Sequence, residues 1–200
     1  MIQHRLSSAA LAALLVAGCA SGPQIQRMDA NTVTDVSGRW NDTDSRLVAE
    51  EMIQDSLSRP WLGMAQQRKG AAPAVIVQAV RNNSMEHINT ATFVEDLQRA
   101  LINSGRVQFV ASAEERQSLR QERADQDVNA SEATRKAHGQ ETGADFALSG
   151  TINAIQDKEG GVAVMLYQVN LKLVDMQSNQ IVWNGQKKIK KSITRSSASW

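Results

Sequence analysis

One cysteine in 200 residues rules out an internal disulfide framework, so packing and hydrogen bonding must hold this chain together. Three prolines leave room for long uninterrupted elements, and with aromatics at only 4% each tryptophan is worth burying. A charge of one sign is missing too. Lys and Arg number 22 against 21 Asp and Glu, a net +1, without the basic surplus that nucleic-acid binding requires. Histidine is scarce, and His4, His87 and His138 have no partner at metal-ligand spacing. His87 adjoins Glu86 in a polar loop, and His138 is expected near a helix end, where the dipole favours it. No glycine-rich phosphate loop is present: Gly160-Gly161 is a turn, and Gly143 and Gly150 flank a strand. Nucleophile-elbow and Ser-Lys signatures are absent, and the acidic residues are scattered. The expectation is a binding protein, not an enzyme, with no cofactor, no metal and no small-molecule substrate. Beyond the N-terminus no apolar run approaches the roughly 20 residues that span a bilayer.

What is present begins with that lone cysteine. Met1 to Arg5 carry positive charge, Leu6 to Ala17 form an apolar run of signal-peptide length, and Leu14-Leu15-Val16-Ala17-Gly18-Cys19 closes it. Val-Ala-Gly-Cys resembles a bacterial lipobox. The resemblance implies a leader over residues 1–18, cleavage before Cys19, and an S-diacylglycerol and an N-acyl group on Cys19. Several acyl chains, at about 0.8 kcal/mol per buried methylene, hold a protein to lipid firmly. Ala20 in place of Asp favours, by analogy with lipoprotein sorting, the outer membrane, with the domain facing the periplasm. Loss of Arg5 with the leader leaves the mature chain formally neutral.

Residues 19–39 combine this anchor with a polar, Ser/Gly/Asn/Asp-rich tether, which fully extended spans at most about 70 Å. A domain follows over 40–191, with 192–200 as a loose tail. Capping residues in Asp42 to Ser45 precede Leu47, Val48, Met52, Ile53 and Leu57 at helical spacing, which predicts a helix over 45–58 stopped by Pro60. Trp40 and Trp61 flank it as packing aromatics, and Gly63 to Pro73 is expected as a loop. Ala74 to Val80 is a continuous apolar run, the pattern of a strand covered on both faces. Thr92 and Glu95 have capping-box spacing before Phe93, Leu97, Ala100 and Leu101, predicting a helix to Asn103, then a strand over 107–111. Strand, helix, strand suggests a parallel crossover. Ser112 and Glu115 open a charged surface helix to about Ala124. Ser131 caps a predicted further helix with Ala133 and Ala137 on one side, ending near Gly143. The rest is β. A strand containing Phe146, Leu148, Gly150 and Ile152 turns at 157–161, then one alternates from Ala163 to Leu173. The last, over 180–191, places Ile181, Trp183 and Ile189 inward. The fold class is mixed α/β: one mixed sheet of four or five strands with about four helices on it.

Four segments together resemble the LpoB family. They are Ala74 to Val80 with Asn82-Asn83, Leu101-Ile102-Asn103-Ser104-Gly105-Arg106, Gly143-Ala144-Asp145-Phe146-Ala147-Leu148-Ser149-Gly150, and Ile181-Val182-Trp183-Asn184-Gly185. The resemblance covers about residues 40–191. It implies an outer-membrane lipoprotein that activates a class A penicillin-binding protein, a peptidoglycan synthase, through a domain similar to the N-terminal domain of TolB. A binding module suits such a role, because an activator needs only to prefer the active conformation of its target. The tether here is short where the best-known members carry a long Pro-rich one. The candidate partner surface is the loop after the first strand, with Arg81, Asn82 and Asn83, and the basic last strand, with Lys187, Lys188 and Lys190. Solvated loop and lysine-protected edge are the alternative roles for these residues. Other readings of the whole are a structural or secretion-associated lipoprotein that oligomerises, and a small-ligand carrier using the helix-sheet crevice.

Overall fold

The computed structural model describes residues 25–136 and 138–194. The expected leader, Cys19, Ala137 and residues 195–200 lie outside them. The chain divides at residue 32. In the first unit, the amides of Asn31 and Thr32 bond to the side chain and carbonyl of Asp29. The helices and strands described here belong to the second.

Helix α1 (Asp42–Ser58) starts from Asn41, whose side chain accepts from the Asp44 amide while Asp44 accepts from the Asn41 amide. Val48, Ala49, Met52, Ile53 and Leu57 are buried along one stripe. Pro60 ends α1 as expected, with Arg59 extended before it (ψ 157°). It also begins α2 (Pro60–Lys69), where a loop was expected. A proline at the first helical position loses no hydrogen bond, and burial of Trp61, Leu62 and Ala65 offsets the poor propensity of Gly63.

Strand β1 (Ala74–Asn82) is followed by α3 (Thr90–Asn103), which starts three residues before Phe93, on Asn89, not on the Thr92 and Glu95 pair. Asn89 accepts from the Ala91 amide, and Phe93, Leu97 and Leu101 are buried. Strand β2 shrinks to Gln108–Phe109, and α4 (Ala113–Asn129) opens on the expected Ser112 and Glu115 capping box but runs past Ala124. The helix predicted from Ser131 is absent among the described residues, which form a turn. With only alanines to bury, nothing covers the cost of nucleating it. His138 therefore sits in a turn, its Nε2 2.7 Å from Asp127.

Three long strands complete the chain: β3 (Phe146–Glu159), β4 (Val162–Asp175) and β5 (Ile181–Thr194). β3 continues through 157–159, and the turn is Gly160-Gly161 alone, with φ 53° and 82°, the paired positive values of a tight hairpin. β5 continues three residues past the expected end. The sheet order is β2-β1-β3-β4-β5, with β1 parallel to β2 and β3 and the last three antiparallel.

One face of the sheet carries Val75, Val77, Val80, Phe146, Leu148, Ile152, Tyr167, Val169, Leu171, Leu173 and Trp183, and α1, α2 and α3 supply the rest of this core. Polar hooks fix the helices on it. Trp183 Nε1 donates to Asp55 of α1 at 2.9 Å, Trp61 Nε1 to the Ser56 carbonyl at 2.7 Å, and Ser45 Oγ to the buried Asp96 of α3 at 2.7 Å. Trp61 also meets Phe146 edge-on at 5.0 Å.

Two expectations about this face fail at bulges. β1 is covered on both faces only in its first half; between Val77 and Val80 its register shifts, and Gln78 and Ala79 are exposed. Ile181, expected inward, is 59% exposed because a shift between Leu173 and Val174 pairs Val174 with Ile181. A single extra residue turns every side chain beyond it to the opposite face.

Candidate partner surface

The second face of the sheet is largely polar where β3, β4 and β5 run side by side, with Ile155 among its exposed apolar residues. Register places Thr151, Asn170 and Gln186 in one row across β3, β4 and β5, with Arg81 of β1 beside Thr151; the next row is Asn153, Gln168 and Lys188, and the next Ile155, Leu166 and Lys190. Lys172 pairs with Asn184 on the same face. Amides knit the surface: Gln168 and Gln186 both donate to Asn170 Oδ1, at 3.1 and 3.0 Å. Arg81, Lys172, Lys188 and Lys190 are exposed, and none has an ion-pair partner among the described residues.

The six candidate residues thus separate. Arg81, Lys188 and Lys190 share the open face. Lys172 joins them; the polar alternation at Gln168, Asn170 and Lys172 was the sequence signal for it. Asn82 turns inward, donating to the Glu86 carbonyl at 2.7 Å and accepting from Ser84, and Asn83 donates to Asn153 at 3.2 Å, so both shape the loop. Lys187 points to the helix side and pairs with Glu51 of α1 at 2.5 Å. The apparent basic run is two interleaved sets, because a strand alternates.

Lys191 belongs to the helix side as well. Its ammonium donates to Asp35 at 2.7 Å, Asp44 at 2.6 Å and the Arg39 carbonyl at 3.1 Å, fastening residues 34–40 as a strap. Gly38 is buried against Ile193, and the hydroxyl of Tyr167 donates to Glu86 at 2.6 Å and lies 3.2 Å from the Gly38 carbonyl. Trp40 closes the end, edge-on to Phe93 at 5.9 Å and Tyr167 at 5.6 Å. The end of the expected tether is therefore fixed to the domain. Burial, with Glu86 as acceptor, pushes the Tyr167 phenol well above its ordinary value.

The strap should not respond to pH near neutrality. Hydrogen bonding to Lys191 holds Asp35 below its ordinary 3.8, so its contribution is complete above that value and lost as pH falls through the lower folded one. Lys191 is pushed down by burial but held above its ordinary 10.5 by the two aspartates, so its contribution is complete below 10.5 and lost only at higher pH. The Trp40 indole NMR signal should stay fixed from about pH 4 to 10 and move only below and above that window; movement near pH 7 would refute the assignment.

Two surface hollows lie on the domain. One, of about 440 Å³, holds Arg68, Lys69, Asp145 and Asp175, which pair with one another. The other, of about 1150 Å³, lies between the strap and the Gly160-Gly161 turn. Phe93, Leu97 and Tyr167 fill the helix-sheet crevice. Among the described residues no His/Cys/Asp/Glu group could hold a metal, and no helix is long and apolar enough to cross a membrane.

Comparisons with solved structures find low-identity likenesses. The LpoB C-terminal domain of Salmonella enterica is 18% identical, with a TM-score of 0.44 over 74% of this chain and 99% of that one. Escherichia coli LpoB is 16% identical, with a TM-score of 0.42 over 88% and 86%. The lipoprotein GNA1162 of Neisseria meningitidis is 17% identical, with a TM-score of 0.41 over 63% and 88%. No curated protein matches. The family described as peptidoglycan-synthase activator LpoB matches residues 44–189, from the first turn of α1 to Ile189 of β5. A match across that much of the chain shows that it belongs to the LpoB family.

Proposed function

We propose that this protein is an outer-membrane lipoprotein, acylated on Cys19, whose periplasmic domain binds and activates a class A penicillin-binding protein. The family match over residues 44–189 carries the reading. The open face supports it with an exposed, largely polar surface and four cations without an ion-pair partner among the described residues, which an acidic partner surface complements. Activation is then a matter of differential affinity: the domain binds the active conformation of the synthase more tightly and shifts its population. Catalytic groups are not needed for that, and the anchor would raise the local concentration of the activator.

Glycan polymerisation by the cognate synthase, with and without the full chain, tests the reading. Lys188→Glu with Lys190→Glu should lower the stimulation at subsaturating activator at least roughly tenfold, since like charge across an interface costs several kcal/mol. Lys187→Ala removes a pair on the other face and should change stimulation less than twofold, about the worth of an exposed ion pair. An unchanged rate with every synthase of the cell would refute activation. Separately, Cys19→Ser should move the protein out of the membrane fraction; retention there would refute the anchor.

A further inference from the structure

Helix α4 buries none of its residues. Local contacts hold it: the capping box at Ser112 satisfies the first turn, and at mid-helix Arg120 and Arg123 grip Glu141, whose carboxyl is drawn down to about 2 by hydrogen bonds from Arg120 and then Arg123. Charge is segregated around it. At 100° per residue, Arg116, Arg120 and Arg123 fall within about 60°, and Glu114, Glu122 and Asp125 occupy about 80° on the opposite side. Arg116, Arg123 and Gln126 are its half-buried positions, so the arginine side lies against the segments at Ala111 and Glu141, and Glu114, Glu122 and Asp125 are exposed. Arg116 donates to the Ala111 carbonyl. On the exposed side, Glu122 and Asp125 accept only from the neutral Gln126 and Asn129, and Glu114 has no cation partner among the described residues.

The complement of this acidic face is on the same molecule. Lys172, Lys188, Lys190 and Arg81 form a cationic field that makes no ion pair among the described residues; the carboxylates of this face, Asp157 and Glu159, lie beyond it toward the Gly160-Gly161 turn. The long dimension of the field, along β5 from Asn184 to Lys190, is about 20 Å. The acidic side from Glu114 to Asp125 rises about 16 Å. α4 follows β2 at one edge of the sheet, and Lys188 and Lys190 lie on β5 at the other. The two surfaces are thus placed to meet between copies, head to tail.

We propose that the acidic outer face of α4 in one copy docks on the cationic open face of a second copy. Being heterologous, the contact repeats, and it closes into a ring or extends as a row according to the rotation between neighbours. A single helix face covers less than the roughly 1,200 Å² of a standard interface, so the association belongs to the weak class and depends on salt. This goes beyond the synthase reading and gives it a control: a copy docked on the open face withholds that face from any other partner.

Sedimentation of the full chain, kept in solution with a non-ionic detergent, tests the contact. At low ionic strength the protein should form species larger than monomer, dissolved by high salt. The helix variant (Glu114→Lys, Glu122→Lys, Asp125→Lys) and the face variant (Lys172→Glu, Lys188→Glu, Lys190→Glu) should each associate at least roughly tenfold more weakly. An equimolar mixture of the two should recover association, because each now carries the surface the other needs. Monomeric wild type at low salt, unweakened variants, or a mixture that fails to recover overturns the proposal. Should a triple variant not fold, Glu122→Cys with Lys188→Cys in a Cys19→Ser chain decides: rapid intermolecular disulfide formation supports the contact, and persistence of free thiols overturns it. The helix variant should still stimulate the synthase while the face variant does not, so failure of one idea is separable from failure of the other.

Discussion

Phe93→Ala is expected to destabilise the domain by about 3–5 kcal/mol. Phe93 is fully buried in the first turn of α3 and meets Trp40 edge-on at 5.9 Å. Removing the ring deletes a large apolar surface and leaves a void whose walls are α1, the strap and the sheet, elements tied in place by hydrogen bonds. They can collapse only partly, so a cavity cost adds to the lost transfer energy. Domains of this size have about 5–15 kcal/mol in all, and the variant should be near the limit of folding. Denaturant titration should show a lower midpoint at unchanged slope. Leu119→Ala on α4, where Leu119 is 48% exposed, should stay within about 0.5 kcal/mol of the parent. A Phe93→Ala loss below about 1 kcal/mol would mean that this core is not built as described.

Gly150→Ala is expected to cost about 3 kcal/mol, at the upper end of overpacking effects. A Cβ there would lie 2.3 Å from the Asn170 carbonyl oxygen and 2.4 Å from Leu171 Cδ2. The first of these is backbone in the neighbouring strand and cannot rotate away, so the β3–β4 ladder must open where Gly150 pairs with Leu171. Just across β3, Val80 resumes its register with Gly150 after the bulge, so the distortion would reach β1 as well. Gly63→Ala is the counter-experiment. Gly63 is inside α2, where an added Cβ would meet nothing within 4 Å, and the change should stabilise by about 0.5–1 kcal/mol. Thermal midpoints moving in opposite directions for two identical substitutions would confirm both placements; a neutral Gly150→Ala would contradict the close approach.

Local chemistry made several elements legible before the structure. The Ser112 and Glu115 box marked the start of α4, because capping is satisfied within four residues. Alternation from Ala163 to Leu173 identified both faces of β4, and Lys172 on its polar side is part of the cationic field. The strand-helix-strand order gave the parallel β1–β2 pair. Misreadings fell where one residue type supports opposite outcomes. Pro60 both ended α1 and started α2, and only burial of Trp61 and Leu62 decided that a second helix followed. Ser131 offered a cap to a segment with nothing to bury.

The candidate surface was half legible for the same reason. Five adjacent residues, Lys187 to Lys191, looked like one basic patch, but pairing with Glu51, Asp35 and Asp44 assigns Lys187 and Lys191 to the helix side. The sequence could show that these lysines alternate. With Trp183 and Ile189 expected inward, alternation already put Lys187 and Lys191 on the helix side; what it could not show is that Glu51, Asp35 and Asp44 would meet them there.

By itself the sequence determined the lone Cys19 and the lipobox resemblance around it, the lack of catalytic and metal-binding motifs, the mixed α/β class, and the segments that resemble the LpoB family. These depend on residue type and on contacts a few positions apart. Tertiary structure alone decided α2, the fastening of residues 34–40, and the division of the basic run into a paired and an unpaired set. Each of those depends on partners distant along the chain, 156 residues away in the case of Asp35 for Lys191 and 81 for Glu86 and Tyr167, and no local pattern encodes which of them will meet.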